Sequence, residues 1–211
     1  MWHYRVGPAD GAIGQNRVMS FAMSSLQPKP MDIAEFLAWE EHQELRHEFD
    51  GCRAFAMTGG TGAHAAIQRN LLFSLTGRLR GKPCQPYGSE LKIRLENSVR
   101  YPDAFVTCNP VAATATSVTE PVVIFEIQSK STASEDIGPK RAEYQAAPTI
   151  ARYIILQQTH RAAMVTWRTD DGWEYRFMSG DAAILEMPEI GINIPLGDIY
   201  EGIALEGDVT A

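Results

Sequence analysis

Residues 100–106 read RYPDAFV, and residues 121–129 read PVVIFEIQS. In each stretch an acidic residue, Asp103 or Glu126, adjoins apolar side chains that are typical of a buried strand. A carboxylate in such a strand is costly to bury as an anion unless a cation or several hydrogen-bond donors compensate it. The sequence therefore predicts two neighbouring strands, each with an acid that needs a partner.

Two kinds of partner satisfy these acids. Two carboxylates from adjacent strands, together with the intervening main-chain carbonyl, offer the hard oxygen ligands that Mg²⁺ or Mn²⁺ prefers. Alternatively, Asp103 ends a turn after Pro102, and Glu126 forms an ion pair with an arginine such as Arg152. The residues alone leave both interpretations open.

The elements around these strands follow from hydrophobic periodicity, capping residues and turn residues. In chain order, the first elements are a helix over 32–46 opened by Asp32 and Glu35, a tight hairpin turn at Asp50-Gly51 and a long helix from Thr61 to Gly81. Two strands in 88–107, joined at Asn97-Ser98, and the strand within 121–129 follow. The last elements are a polar helix from Ser134 to Ala147, a strand at 151–157, a hairpin turning at Asp171-Gly172, and a closing segment with Pro188, Pro195 and Ile199. The core order of helix, three strands, helix and strand predicts an α/β (α+β) fold.

The composition fits a single domain. The chain has 211 residues, of which 45% are hydrophobic and 21% charged, a size that one core can stabilise. Residues 31–206 are predicted to form this domain, and residues 1–30, which lack any periodicity, a flexible N-terminal extension. No apolar run of membrane-spanning length and no secretory leader is recognisable, so we expect a cytoplasmic protein without a membrane partner.

The charge and the cysteines restrict the function classes. A net charge of -7 argues against a DNA-binding module that depends on a basic surface. It argues less against a metal nuclease, because carboxylates hold the metal and the cation then changes the field that a phosphate meets. Cys52, Cys84 and Cys108 are odd in number and widely spaced, which predicts packing thiols and not a disulfide framework or a zinc site.

Three further features have an ordinary structural explanation. His64 lies near the start of the long helix, where a helix-start hydrogen bond or a surface position is the favoured interpretation. Lys140 follows Asp136 by four residues, the spacing of an exposed ion pair on a helix. Four aromatic residues are predicted to pack the last hairpin and not to stack on bases. They are Trp167, Trp173, Tyr175 and Phe177.

Seven segments together carry a family resemblance. In order they are ELRHEFDG, GAHAAI, PCQPYGSELKIRL, YPDAFV, FEIQSKST, EDIGPKRAEYQ and ARYIILQ. From Met31 to Glu206 the chain resembles the Uma-type family of restriction endonucleases, which is assigned to the PD-(D/E)xK superfamily. The resemblance implies a restriction-endonuclease-like core with a central mixed sheet flanked by helices. It also implies a DNA endonuclease that uses Mg²⁺ or Mn²⁺ to hydrolyse phosphodiester bonds, and cleavage of both strands would favour a homodimer.

Carried over to this sequence, the resemblance makes Asp103 and Glu126 the metal ligands of a catalytic site. In the superfamily a lysine follows the second acid by two positions, on the same strand face, but here that position is Gln128. Lys140 in the following helix is the natural substitute for this lysine, and Lys130 is a rival. The candidate pocket residues are Glu48, His64, Glu90, Ser129 and Lys130.

Different hypotheses of function follow. In the first, Asp103 and Glu126 converge on one ion, and the helix of Lys140 faces the Glu126 strand so that the ammonium stabilises charge developing at phosphorus. Lys130 then points to solvent. In the second, the missing lysine at Gln128 marks a catalytically inactive nuclease fold that binds nucleic acid or a protein partner. In a third, the metal serves another hydrolysis, since fold does not fix function.

Overall fold

The computed structural model describes residues 31–57, 59–128 and 138–205. The helices are α1 (Ile33–Glu40), α2 (Gly62–Leu79), α3 (Pro139–Ala146) and α4 (Leu196–Ile199), with a 3₁₀ turn at Pro188–Ile190. The strands are β1 (His47–Phe49), β2 (Ala54–Ala56), β3 (Gln85–Gly88), β4 (Lys92–Arg94), β5 (Val99–Arg100), β6 (Ala104–Thr107), β7 (Ser117–Val118), β8 (Val123–Gln128), β9 (Arg152–Gln157), β10 (Ala162–Thr169), β11 (Gly172–Ser179), β12 (Ile184–Met187) and β13 (Ile192–Pro195). The predicted extension over 1–30 and the predicted helix start at Ser134 lie outside the described residues.

A six-stranded mixed sheet forms the centre of the fold, with its strands in the order β11-β10-β9-β8-β6-β3. β8 and β9 run parallel, and the other neighbouring strands are antiparallel. One face of this sheet packs against α2 and the β12–β13 hairpin, through side chains such as Leu71 and Phe125. The other face packs against Tyr144 of α3 and Ile93 of β4. The predicted mixed sheet flanked by helices is therefore confirmed.

One predicted core strand was assigned wrongly. The order helix, three strands, helix and strand holds for α2, β3, β6, β8, α3 and β9, but β4 belongs to a second sheet, in the order β2-β1-β5-β4-β7. The chain leaves the central sheet at a turn in which the Leu91 N–H donates to the Gly88 carbonyl at 3.2 Å. Gly88 also lets β3 approach α2 closely, because a Cβ there would lie 3.1 Å from Leu72 Cδ1.

The first helix begins as predicted and ends early. Asp32 accepts the Glu35 N–H at 2.8 Å, and the Glu35 carboxylate accepts the Asp32 N–H at 3.0 Å, which completes the capping box. The helix ends at Glu40 and not at residue 46. The Glu40 side chain turns inward and accepts hydrogen bonds from Tyr101 and Lys92 at 2.6 and 2.5 Å. Among the described helices, none is long and apolar enough to cross a membrane.

Both Asp-Gly hairpins form, but their turns differ from the prediction. β1 and β2 pair so that four residues, 50–53, connect them where two were expected. Asp50 Oδ1 closes this loop by accepting two main-chain N–H groups at 2.8 and 2.7 Å, and Gly51 adopts a φ of +92°. The β10–β11 hairpin turns one residue earlier than predicted, at 170–171.

Two of the cysteines form a disulfide, Cys84–Cys108, so the prediction of packing thiols was wrong for this pair. In the antiparallel β3–β6 pair, Gln85 lies opposite Thr107, and the next step along the strands places the two cysteines opposite each other. Such a cross-strand pair depends on the register of two strands, which the spacing of cysteines in a sequence does not show. Cys52 is a free, exposed thiol.

Candidate active site

Two adjacent strands position the two predicted acids. Asp103 immediately precedes β6, and Glu126 lies within β8, which pairs antiparallel with β6. Ala104 is opposite Phe125, so the same register one step further places Asp103 opposite Glu126, on one face of the sheet. The Ile127 N–H donates to Asp103 Oδ2 at 2.7 Å. The peptide that follows Glu126 therefore lies directly against the Asp103 carboxylate.

The first turns of α2 fix Asp103 from the other side. The helix begins as predicted, with Thr61 Oγ1 accepting the His64 N–H at 3.2 Å. The His64 ring turns inward, and its Nε2 lies 3.2 Å from the Asp103 carboxylate. One turn later, Gln68 donates to the Asp103 carbonyl at 2.8 Å. The interpretation of His64 as a surface residue is therefore wrong, because its side chain is only 18% exposed and faces a candidate ligand.

Glu126 is buried and has two partners on α3. Its Oε1 accepts the Tyr144 hydroxyl at 2.9 Å and lies 3.2 Å from Lys140 Nζ. Burial foremost, and then the negative charge of Glu126, raise the pKa of Tyr144 well above its usual value, so this hydroxyl stays protonated and donates. The alternative pairing with Arg152 is wrong, because Arg152 binds Glu189 at 2.6 Å.

Lys140 is buried between two carboxylates. Its Nζ lies 3.2 Å from Glu126 Oε1 and 3.2 Å from Glu48 Oε1. This placement meets the geometric condition of the lysine hypothesis, that α3 faces the Glu126 strand with the ammonium within reach of its carboxylate. An exposed ion pair is excluded, because Lys140 is 6% exposed; the proposed partner, Asp136, lies outside the described residues.

The charged network continues beyond Lys140 through residues that the sequence did not single out. Arg100 donates to Glu48 at 3.2 Å and to Glu143 at 2.8 and 2.5 Å. Burial lowers the pKa of Arg100, but the hydrogen bonds and negative charges of Glu143 and Glu48 outweigh burial and raise it. A signal existed in the sequence, since Glu143 and Tyr144 follow Lys140 at the three- and four-residue spacing of one helix face.

The remaining predicted residues lie at the margin of this network. Gln128 accepts a hydrogen bond from Gln157 Nε2 at 2.7 Å, and its own buried Nε2 has no hydrogen-bond partner within the described residues. Glu90 is exposed and pairs with Arg46. Ser129 and Lys130, including the predicted solvent-facing position of Lys130, lie outside the described residues.

Comparisons with known proteins agree with this fold. Two proteins of Synechocystis sp. strain PCC 6803 are similar in sequence. One, slr1290, is 32% identical over 81% of this chain and 91% of its own length. The other, sll1609, is 25% identical over 75% of this chain and 93% of its own length. A crystal structure from Anabaena variabilis, described as a "putative nuclease belonging to DUF820", superimposes with a TM-score of 0.65 at 16% identity, over 81% of this chain and 98% of that one.

The family comparison covers the elements that build the site. A family model, Uma2, with the description "Putative restriction endonuclease", matches residues 33–197, which include α1 through β13 and therefore every residue of the network described above. This family and this fold support a nuclease role in general terms. The chain belongs to the Uma2 family of restriction-endonuclease-like proteins.

Proposed function

We propose that this protein is a metal-dependent endonuclease that hydrolyses phosphodiester bonds of DNA. Three observations support the proposal: the register that places Asp103, just before β6, opposite Glu126 of β8, the Ile127 N–H that donates to Asp103, and Lys140 of α3 at 3.2 Å from Glu126. The lysine that the superfamily places two residues after the second acid is absent at Gln128, and a buried ammonium from a different element occupies the space beside Glu126 in its stead.

The donor set fits Mg²⁺ or Mn²⁺. The described residues contain no cluster of three or more His, Cys, Asp and Glu side chains that could hold a metal, which disfavours a site closed by protein ligands alone. Mg²⁺ keeps several waters and is held by one or two carboxylates together with substrate phosphates, which matches Asp103 and Glu126 with the neighbouring Ile127 peptide. When bound, the ion would lower the pKa of a water and neutralise phosphate charge.

The side chains of the chain itself would prepare this chemistry. His64 and the Ile127 N–H orient the Asp103 carboxylate, and Tyr144 orients Glu126. Lys140 Nζ lies 3.2 Å from Glu126 and would stabilise the additional negative charge of the phosphorane-like transition state. Its two carboxylate neighbours hold the lysine in place, with Nζ 3.2 Å from an oxygen of each.

The experiment is a comparison of isosteric variants in a plasmid-cleavage assay with Mg²⁺ or Mn²⁺. Asp103→Asn and Glu126→Gln should each abolish cleavage and also weaken Mn²⁺ binding in a calorimetric titration, whereas Glu41→Gln, at an exposed carboxylate, should leave both unchanged. Cleavage retained in both site variants would place the chemistry elsewhere. The calorimetric readout separates a failure to bind metal from a failure to cut.

A specific observation favours one alternative, a catalytically inactive fold that binds nucleic acid or a protein partner. Lys140 is already paired with two carboxylates, Glu48 and Glu126, and Gln128 offers no positive charge. Under this alternative the unaltered protein would bind DNA in the presence of Mg²⁺ but would not cleave it. Asp103→Asn would then change neither DNA integrity nor DNA affinity.

A further inference from the structure

The edge strand β11 exposes aromatic side chains to solvent. It is the outermost strand of the central sheet beside β10, and all eight of its residues are exposed or partly exposed. Tyr175 is 69% and Phe177 63% exposed. A long edge strand with exposed aromatic residues is a template for pairing with another strand.

The hydrogen-bond pattern shows which groups of β11 face outward. The Gly180 N–H donates to the Arg161 carbonyl at 2.8 Å, and Arg161 and Gly180 continue the β10–β11 register. In an antiparallel ladder, hydrogen-bonded and non-hydrogen-bonded pairs alternate. The even-numbered residues of β11 therefore bond to β10, and the N–H and C=O groups of Trp173, Tyr175 and Phe177 point away from it. Within the described residues no strand pairs with this outer edge.

We propose that β11 pairs antiparallel with β11 of a second copy of this chain, around a two-fold axis at Tyr175. Only the outward-facing, odd-numbered residues can form hydrogen-bonded pairs with the second copy. In a symmetric pairing the two-fold axis must therefore pass through a residue position and not between two neighbouring residues. An axis at residue 174 would place Glu174 opposite itself, and an axis at residue 176 would place Arg176 opposite itself. Like charges directly opposite are destabilising.

The axis at Tyr175 turns the same two residues into complementary pairs. Glu174 of each copy then lies opposite Arg176 of the other, twice across the interface. Trp173 lies opposite Phe177 of the second copy, also twice, and aromatic cross-strand pairs are favourable. The three outward-facing residues of each strand would form about six main-chain hydrogen bonds. The charge pattern of this strand is thus self-complementary in one register, as a two-fold interface requires.

The test uses the full-length protein and its charge variants in sedimentation velocity, from about 1 to 200 µM. Glu174→Arg and Arg176→Glu should each weaken dimerisation at least about tenfold, and the double variant, which exchanges the two charges, should restore it. The substitutions lie on an exposed strand, where most changes alter the free energy of unfolding only slightly, and thermal unfolding of each variant checks this.

A second measurement tests the register. In a Cys52→Ser background, Tyr175→Cys should form a covalent dimer on oxidation, because hydrogen-bonded antiparallel pairs have Cα atoms about 5.5 Å apart, within disulfide reach. Phe177→Cys should not, since its counterpart is Trp173.

A monomer at every concentration would overturn the proposal, as would a dimer whose affinity ignores both charge changes. The pairing depends on β11 alone, so it stands or falls independently of nuclease activity. DNA cleavage by a strictly monomeric protein would refute the pairing and support the proposed function. A protein that dimerises as predicted but does not cleave DNA would support the pairing and count against the proposed function.

Discussion

The ammonium group of Lys140 forms ion pairs with two carboxylates, Glu48 and Glu126. Because all three side chains are buried, the loss of any one of them would leave a buried charge without its partner. Taking two charges out of water is expensive, and the loss of one member of a buried pair typically costs about 3–5 kcal/mol because the other remains unpaired. The Lys140 side chain is 7% exposed, that of Glu126 6% and that of Glu48 11%. Since burying these charges costs so much free energy, the Lys140 ion pairs are as much a candidate functional site as a stabilising feature.

The first prediction concerns the position of the catalytic charge. Lys140→Ala should lower the rate of DNA cleavage by about two or more orders of magnitude, the scale of removing one electrostatic stabiliser of a transition state. Gln128→Leu should be nearly silent. A single-turnover cleavage assay measures both, and Lys82→Ala, at an exposed lysine bound to the Gly191 carbonyl, is the control.

A rescue experiment makes this prediction sharper. If the charge has moved between elements, Gln128→Lys in the Lys140→Ala background should recover part of the activity, because both positions adjoin Glu126. If Gln128→Lys alone raises activity and Lys140→Ala changes nothing, Lys140 is only structural. Circular dichroism of each variant shows whether a loss reflects unfolding.

Part of this site was predictable and part was not. Asp103 and Glu126 could be singled out because an acid in an apolar strand is visible in the chain itself. Lys140 became a candidate only through the family resemblance, since its spacing from Asp136 predicted an exposed ion pair. Arg100 could not be singled out, because a charged residue in a short segment is normally solvated, and only the packing of β5 against α3 buries its guanidinium beside Glu143. The inward turn of the His64 ring likewise depends on the neighbouring Asp103.

At the level of elements, predictions succeeded where a single segment contained its own signal. The capping box of α1, the Thr61 cap of α2 and the apolar run of β8 are local features. The prediction placed β4 in the central sheet, where the structure has β3. The error arose because both strands are short and half-buried. A strand of three or four residues does not reveal in its sequence which sheet it joins.

The second prediction concerns the disulfide that joins β3 and β6. Cys84 and Cys108 are 24 residues apart, and closing a loop of this length stabilises a protein by about 3.5 kcal/mol in the chain-entropy estimate. The double variant Cys84→Ser/Cys108→Ser should therefore unfold at a lower urea concentration by a comparable free energy. A reductant should have the same effect on the unaltered protein.

The matched control for this experiment is Cys52→Ser, at the free, exposed thiol, which should unfold like the unaltered protein with or without reductant. Asp103 precedes β6 and Cys108 follows it, so the disulfide and the candidate site lie at opposite ends of one strand. Cleavage activity measured well below the unfolding transition should thus be retained in the double variant. An unchanged urea midpoint would contradict the prediction.

On the scale of the whole molecule, three of the buried tyrosines belong to three different parts of the fold. Tyr101 follows β5, Tyr144 lies on α3 and Tyr200 follows α4. Burial is the main cause that raises the pKa of each above the ordinary value, and the Tyr101 hydrogen bond to Glu40 adds to it. Unfolding would release all three hydroxyls into water together.

The third prediction is a loss of stability at alkaline pH. Above the unfolded tyrosine pKa of about 10, the unfolded chain releases protons that the folded chain retains, so the free energy of unfolding falls as pH rises. Each tyrosine should contribute about 1.4 kcal/mol per pH unit until its raised folded pKa is reached. Below about pH 9 these groups should cause no pH dependence.

Urea titrations between about pH 8 and pH 11.5 measure this slope. Tyr144→Phe should make it shallower by about 1.4 kcal/mol per pH unit, apart from any constant loss caused by the missing hydrogen bond to Glu126. Equal slopes for Tyr144→Phe and the unaltered protein would show that Tyr144 ionises alike in the folded and unfolded states.

The alternation of charges around Lys140 has a consequence for electroneutrality. Among the residues that the structure describes, six formally charged side chains lie in and beside the network, namely Asp103, Glu126, Lys140, Glu48, Arg100 and Glu143. Four carboxylates and two cations leave a formal charge of −2 when His64 is neutral. One divalent cation cancels this excess, whereas a monovalent ion leaves half of it in a poorly hydrated interior. If the proposed site holds Mg²⁺ or Mn²⁺, the charge of that ion would thus balance the described side chains before any substrate phosphate arrives.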